Sequence, residues 1–119
     1  INVCLYRMFF QNIPTTVGLG GTPQAITAAT TAPNITTTIT TIDTTGGAHT
    51  GTISETSVVQ GQIKHIVQIA GTNTSTLTVT TGVGISQIVF NAIGDSVTLI
   101  WTGGSTGWAV VGSHSATIS

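Results

Sequence analysis

The sequence predicts an all-β domain, and three observations carry that prediction. Threonine is the commonest residue, 26 of 119, and its β-branched side chain favours extended backbone. Short runs with period-2 alternation recur roughly every eight to twelve residues, the spacing of a sandwich or barrel. Glycine-containing turns separate these runs, and no stretch combines a 3.6-residue period with helix caps. The expected architecture is an antiparallel sandwich or barrel-like domain of about seven to nine short strands, preceded by an N-terminal arm. No strict short repeat of the solenoid kind is visible.

Residues 1–24 read as arm and linker, and residues 25–119 as the β domain. The first thirteen hold Tyr6, Phe9 and Phe10 but no threonine. An exposed cluster over Leu5, Tyr6, Phe9 and Phe10 would be costly, so these four are candidate interface residues. The alternative is an ordinary first strand. The chain opens on Ile1, which reads as processing, truncation or a fragment, with Met8 as an alternative start. Pro14, Gly18, Gly20, Gly21 and Pro23 mark the linker.

A weak strand is expected over 25–31, broken by Pro33 and Asn34. A second runs over 35–43, rich in threonine and poor in aliphatics. Gly46 and Gly47 turn the chain into a short strand, HTGTI, at 49–53. After a loop at 54–61, the run 63–70, IKHIVQIA, carries aliphatics on both parities and should be central. Leu77 and Val79 point inward from 75–80, and Ile88 and Phe90 share a face of 85–90. Two arms at 96–101 and 108–111 form a hairpin around TGGSTG. Val97, Leu99 and Trp101 share one parity of its first arm. A last short strand is expected at 116–118.

Composition excludes several functions. Only Arg7, Asp43, Glu55, Lys64 and Asp95 are charged, 4% of the chain against about 25% in an ordinary domain. Two basic residues cannot neutralise a nucleic-acid backbone. No apolar run is long enough for a spanning helix, so neither nucleic acid nor membrane is an expected partner. Cys4 is the single cysteine, which excludes an intrachain disulfide and a cysteine-built metal site. A net charge of −1 gives little colloidal repulsion. That points to a subunit whose surface is largely covered in an assembly.

Chemistry-bearing patterns are sparse. His49, His65 and His114 form no spaced metal pair, and His65 reads as a hydrogen-bonded structural residue. Gly94-Asp95-Ser96 superficially matches a lipase motif, but it opens a strand, so Asp95 reads as a turn cap. Asp43, Glu55 and Asp95 are too scattered for paired carboxylate catalysis. No catalytic residue, metal ligand or cofactor is expected, and the chain is not read as an enzyme. Asn34-Ile35-Thr36 and Asn73-Thr74-Ser75 match the glycosylation pattern, as chance allows in a threonine-rich chain. Trp101 and Trp108 are candidate interface residues, as core or subunit packing; a sugar-stacking platform is the alternative.

Taken in order, HTGTI (49–53), GQIKHIV (61–67), STLTVT (75–80), IVF (88–90), GDSVTLIW (94–101) and GWAVVG (107–112) resemble a β-rich module of virion structural proteins. That module belongs to tailed phages, especially those of cyanobacteria and marine bacteria. The resemblance covers a little over half the chain. It implies a non-enzymatic exterior component of capsid-decoration or fibre type, homotrimeric, and supplies no catalytic residues. The expected function is a capsid decoration, or cement, protein that coats or stabilises the shell from the capsid exterior. Its expected partners are copies of itself and the major capsid protein or another virion component. A receptor- or glycan-binding fibre module and an extracellular filament subunit are the alternatives.

Overall fold

The computed structural model describes residues 21–119. These residues form nine strands and no helix. In chain order they are β1 (Gln24–Ile26), β2 (Ile39–Asp43), β3 (His49–Thr52), β4 (Ile63–Ala70), β5 (Ser75–Thr78), β6 (Gln87–Phe90), β7 (Ser96–Trp101), β8 (Trp108–His114) and β9 (Thr117–Ile118). The all-β expectation and the strand number hold. The arm proposed from Leu5, Tyr6, Phe9 and Phe10 lies outside the described residues.

The strands build two sheets. Sheet A has the order β1-β2-β4-β7-β8, and sheet B has β3-β5-β6-β9. The expected antiparallel pairing is corrected here, because both sheets are mixed. β1 with β2, β2 with β4, and β3 with β5 pair in parallel. The chain passes from sheet A to sheet B and back, laying each new strand beside the previous one. Thr40 sits beside Ile66 in sheet A and His49 beside Ser75 in sheet B, the same step of 26 residues on both sides. The segment before β2 joins the stack as well, since Thr50 N donates to Ala29 O and Ser54 N to Pro33 O. These are successive coils of one winding, although no repeat marks them in the sequence.

After β5 the direction reverses. β6 runs antiparallel to β5, β7 to β4, and β8 to β7. β9 closes sheet B against β6. The reversals need tight turns. Gly94 takes φ +96° ahead of β7, and Gly107 takes φ +79° ahead of β8; both values are cheap only for glycine.

The core lies between the sheets. Ile26, Ile42, Ile66, Val97, Leu99, Trp101 and Trp108 enter it from sheet A, and Leu77, Ile88 and Phe90 from sheet B. Period-2 alternation explains this directly. β7 reads half-buried and buried in strict turn, which puts Val97, Leu99 and Trp101 inside. β2 shows how little aliphatic side chain a buried strand can hold, for its inward pair is Thr40 and Ile42.

The β7–β8 hairpin is anchored by backbone contact with the segment after β5. Trp108 N donates to Thr81 O, and Val83 N donates to Trp108 O. A Cβ at Gly107 would collide with the Thr81 carbonyl, and its positive φ adds strain of about 1–3 kcal/mol for any other residue. Gly107→Ala is therefore expected to lower unfolding stability by at least about 2 kcal/mol. Gly104→Ala, where a Cβ meets nothing within 4 Å, should stay within about 0.5 kcal/mol. Urea denaturation of the two variants checks this, and equal midpoints would refute the anchoring role.

Candidate functional site

Most of the chemistry-bearing side chains in the described part are spent inside the fold. Lys64 alternates with Ile66 and Gln68 on the inward face of β4 and is 1% exposed. Its ammonium donates to Thr37 O at 2.8 Å, Thr37 Oγ1 at 3.1 Å and Asn34 Oδ1 at 3.5 Å. Three acceptors meet three donors, but no carboxylate is among them. Burial therefore lowers the lysine pKa to about 8.

His49 is 2% exposed and touches three coils. Its Nε2 lies 2.7 Å from Thr31 O, and its Nδ1 lies 2.8 Å from Ser75 Oγ. A carbonyl only accepts, so Nε2 carries the proton, and in the neutral ring Nδ1 accepts from the Ser75 hydroxyl. The pair has the outline of a serine–histidine dyad. Ser75, however, is wholly buried, so its oxygen has no approach for a substrate carbonyl. A Cβ at Gly51 would lie 2.9 Å from Thr31 O and 3.3 Å from the His49 ring, so the glycine is what lets the ring reach across.

The acids are equally occupied. The Asp95 carboxylate accepts from Asn91 N at 2.8 Å and Ala92 N at 3.1 Å, closing the turn before β7. It is the turn cap expected from its place after Gly94. Glu55 accepts from Thr81 N at 2.8 Å and Thr81 Oγ1 at 2.9 Å. Asp43 accepts from Thr45 N at 2.8 Å. Hydrogen bonds from the Thr45 side chain and backbone hold its carboxyl below the ordinary carboxylate range. His65 bonds Thr98 Oγ1 through Nδ1 at 2.8 Å, the structural role expected of it. His114 is exposed on β8. Among the described residues, no three of His, Cys, Asp and Glu come together as a metal-ligand set.

Trp101 and Trp108 face each other across the hairpin, with centroids 5.2 Å apart and planes at 74°. Trp101 is 6% exposed and Trp108 is wholly buried, so within the protomer both rings pack in the core. No open aromatic platform is formed there.

Two surface features remain. One is a groove of about 340 Å³ lined by Ile35, Thr36, Thr37, Thr38, Gly61, Gln62 and Ile63, with no charged group in its wall. The other is the outer face of sheet A. Pairing aligns Ile39 with His65 and Thr98, Thr41 with Val67 and Ser96, and Ile63 with Ile100 and Ala109. Ile63 and Ile69 stand exposed there, and Val111 at the β8 bulge. The sequence left this face unread because both parities of 63–70 carry aliphatics. Lys64 was the missed signal: it shares its parity with Ile66, so one of the two had to break the usual rule.

No known protein-family model matches the chain, and no curated protein is similar to it in sequence. The likeness to the phage virion module therefore stands on the quoted motifs alone.

Two predictions follow from the buried polar groups. His49→Ala strands the Thr31 carbonyl and the Ser75 hydroxyl and leaves a cavity. It should cost roughly 2–4 kcal/mol, measured by urea denaturation; a loss near zero would show that the three coils do not depend on the ring. The second concerns pH. The folded state releases the Lys64 proton near pH 8, whereas the unfolded chain holds it to about 10.4. Between these values the unfolded state binds more protons, so stability rises with pH across that window and the gain is absent below it. Denaturation midpoints taken across the window should rise in the wild-type chain and flatten in Lys64→Met; a wild-type midpoint that falls or stays level contradicts the assignment.

Proposed function

We propose that this chain is a virion structural protein, a decoration protein that coats and stabilises a phage capsid as a homo-oligomer. The observation that carries the reading is the near-absence of charge on the described surface. Lys64 and Asp95 are buried, Glu55 is bound to Thr81, and Asp43 is half-buried at the end of β2. A polar skin of threonine with almost no charge suits a subunit held among other subunits better than one kept apart by repulsion. It also leaves the described surface without a basic head group to meet phosphate. The ordered motifs from HTGTI to GWAVVG support the same reading by resemblance.

Decoration works by adding contact at junctions between shell subunits. Each buried Å² of apolar surface contributes about 25 cal/mol before association costs. Many identical copies then multiply a modest individual contact.

A second reading, a receptor- or glycan-binding fibre module, draws on the groove beside Thr36, Thr37, Thr38 and Gln62. Hydroxyl and amide groups without charge suit a neutral sugar. The tryptophans lend it no support, because both rings are covered within the protomer.

Quantitative mass spectrometry of purified particles from the virus encoding this chain separates the two. Decoration predicts a copy number comparable to that of the major capsid protein. A few copies per particle would replace it with the fibre reading, and absence from particles would overturn both.

A further inference from the structure

The outer face of sheet A has the chemistry of a surface made to be covered. Ile39, Ile63, Val67 and Ile100 lie on it around His65, and Ile69 at its margin is 52% exposed. Of the described charged residues only Asp43 shares its parity, at the end of β2 after Ile39 and Thr41. Lys64 and Asp95 turn to the interior, Glu55 belongs to the loop after β3, and Asp43 closes the rim.

The lack of charge selects the occupant. A partner bringing charged groups onto this face would desolvate them with only Asp43, at the rim, to pair against, a cost of several kcal/mol per ion. The matching surface is another β face nearly free of charge, and this chain carries one. We infer that the outer face of sheet A is the surface through which copies of this chain associate. The inference rests on the homo-oligomeric part of the reading above and not on its virion assignment.

Size sets the strength. Five strands about 4.8 Å apart and about 20 Å long present roughly 500 Å² per copy, or about 1,000 Å² for two apposed faces. That is the lower bound of a specific interface, so association should be concentration-dependent and of roughly micromolar strength.

Sedimentation velocity of the full chain from about 1 to 100 μM tests this. The wild-type chain should pass from monomer toward a discrete oligomer. Ile69→Lys and Ile63→Lys place like charges across the junction and should weaken association at least about tenfold. Val83→Lys and Ile93→Lys, at exposed loop positions, should leave it within about twofold. Circular dichroism melts of each variant establish that the fold is intact. A wild-type chain that stays monomeric throughout overturns the inference, as does an oligomer that the face variants leave unchanged or that the loop variants weaken equally. Because no particle is involved, this failure is distinct from that of the virion assignment. A self-associating chain absent from particles would overturn the assignment alone.

Discussion

The structure depends on buried polar side chains that tie each coil of the winding to the next. A chain with this composition cannot fill the space between two sheets with aliphatics alone. It fills the remainder with Gln, Thr, His and Lys, whose polar atoms are hydrogen-bonded apart from Gln68 Oε1, because an unpaired buried polar group costs about 1–3 kcal/mol. Parallel stacking supplies the partners. Gln24 on the first coil accepts from Thr40 Oγ1 on the second at 2.8 Å and donates to Ala32 O at 3.0 Å. Gln68 on the third donates to Thr44 Oγ1 on the second at 3.1 Å. His49 spans all three. A slip in register would strand every one of these groups at once, so the polar interior specifies the alignment that a uniformly greasy core would leave loose.

That economy determines what is left for the outside. The chain has few charged residues, and the described ones serve as internal fasteners or turn caps. Lys64 holds the segment around Asn34 and Thr37, Asp95 closes the turn into β7, and Glu55 clasps Thr81. The surface is therefore hydroxyl and methyl, with threonine presenting both. The same residue choice that satisfies the interior produces an exterior with little electrostatic repulsion. The fold and the scarcity of charge on the described surface are thus two results of one composition.

Part of this was legible in the sequence and part was not, for reasons specific to individual residues. Leu77 with Val79, Ile88 with Phe90, and Val97 with Leu99 and Trp101 announced their buried faces by period-2 alternation, and all seven are in the core. Asp95 announced its turn. Parallel pairing was hidden because alternation reads the same whichever way a neighbouring strand runs. The coil step of 26 residues was hidden because the paired positions differ chemically: Thr40 meets Ile66, and His49 meets Ser75. Lys64 defeats the hydropathy rule outright, since a lysine within a strand is ordinarily read as solvent-facing. Its acceptors, in Asn34 and Thr37, come from a segment about thirty residues earlier and only the winding brings them within reach.

A winding of parallel coils also needs an end, because each coil exposes an edge on which another strand can form. The antiparallel strands provide it. β6 and β9 cover the far side of β5, while β7 and β8 cover that of β4. The Trp101–Trp108 pair fills the space beneath the hairpin, and the Glu55–Thr81 clasp fixes the segment against which Trp108 hydrogen-bonds. The final hairpin is thus the element that terminates the stack, which explains why it gathers both tryptophans and a glycine that tolerates no side chain. The stack thus stops growing at β4 and β5, and β8, held at Trp108 by the segment after β5, becomes the edge strand of sheet A.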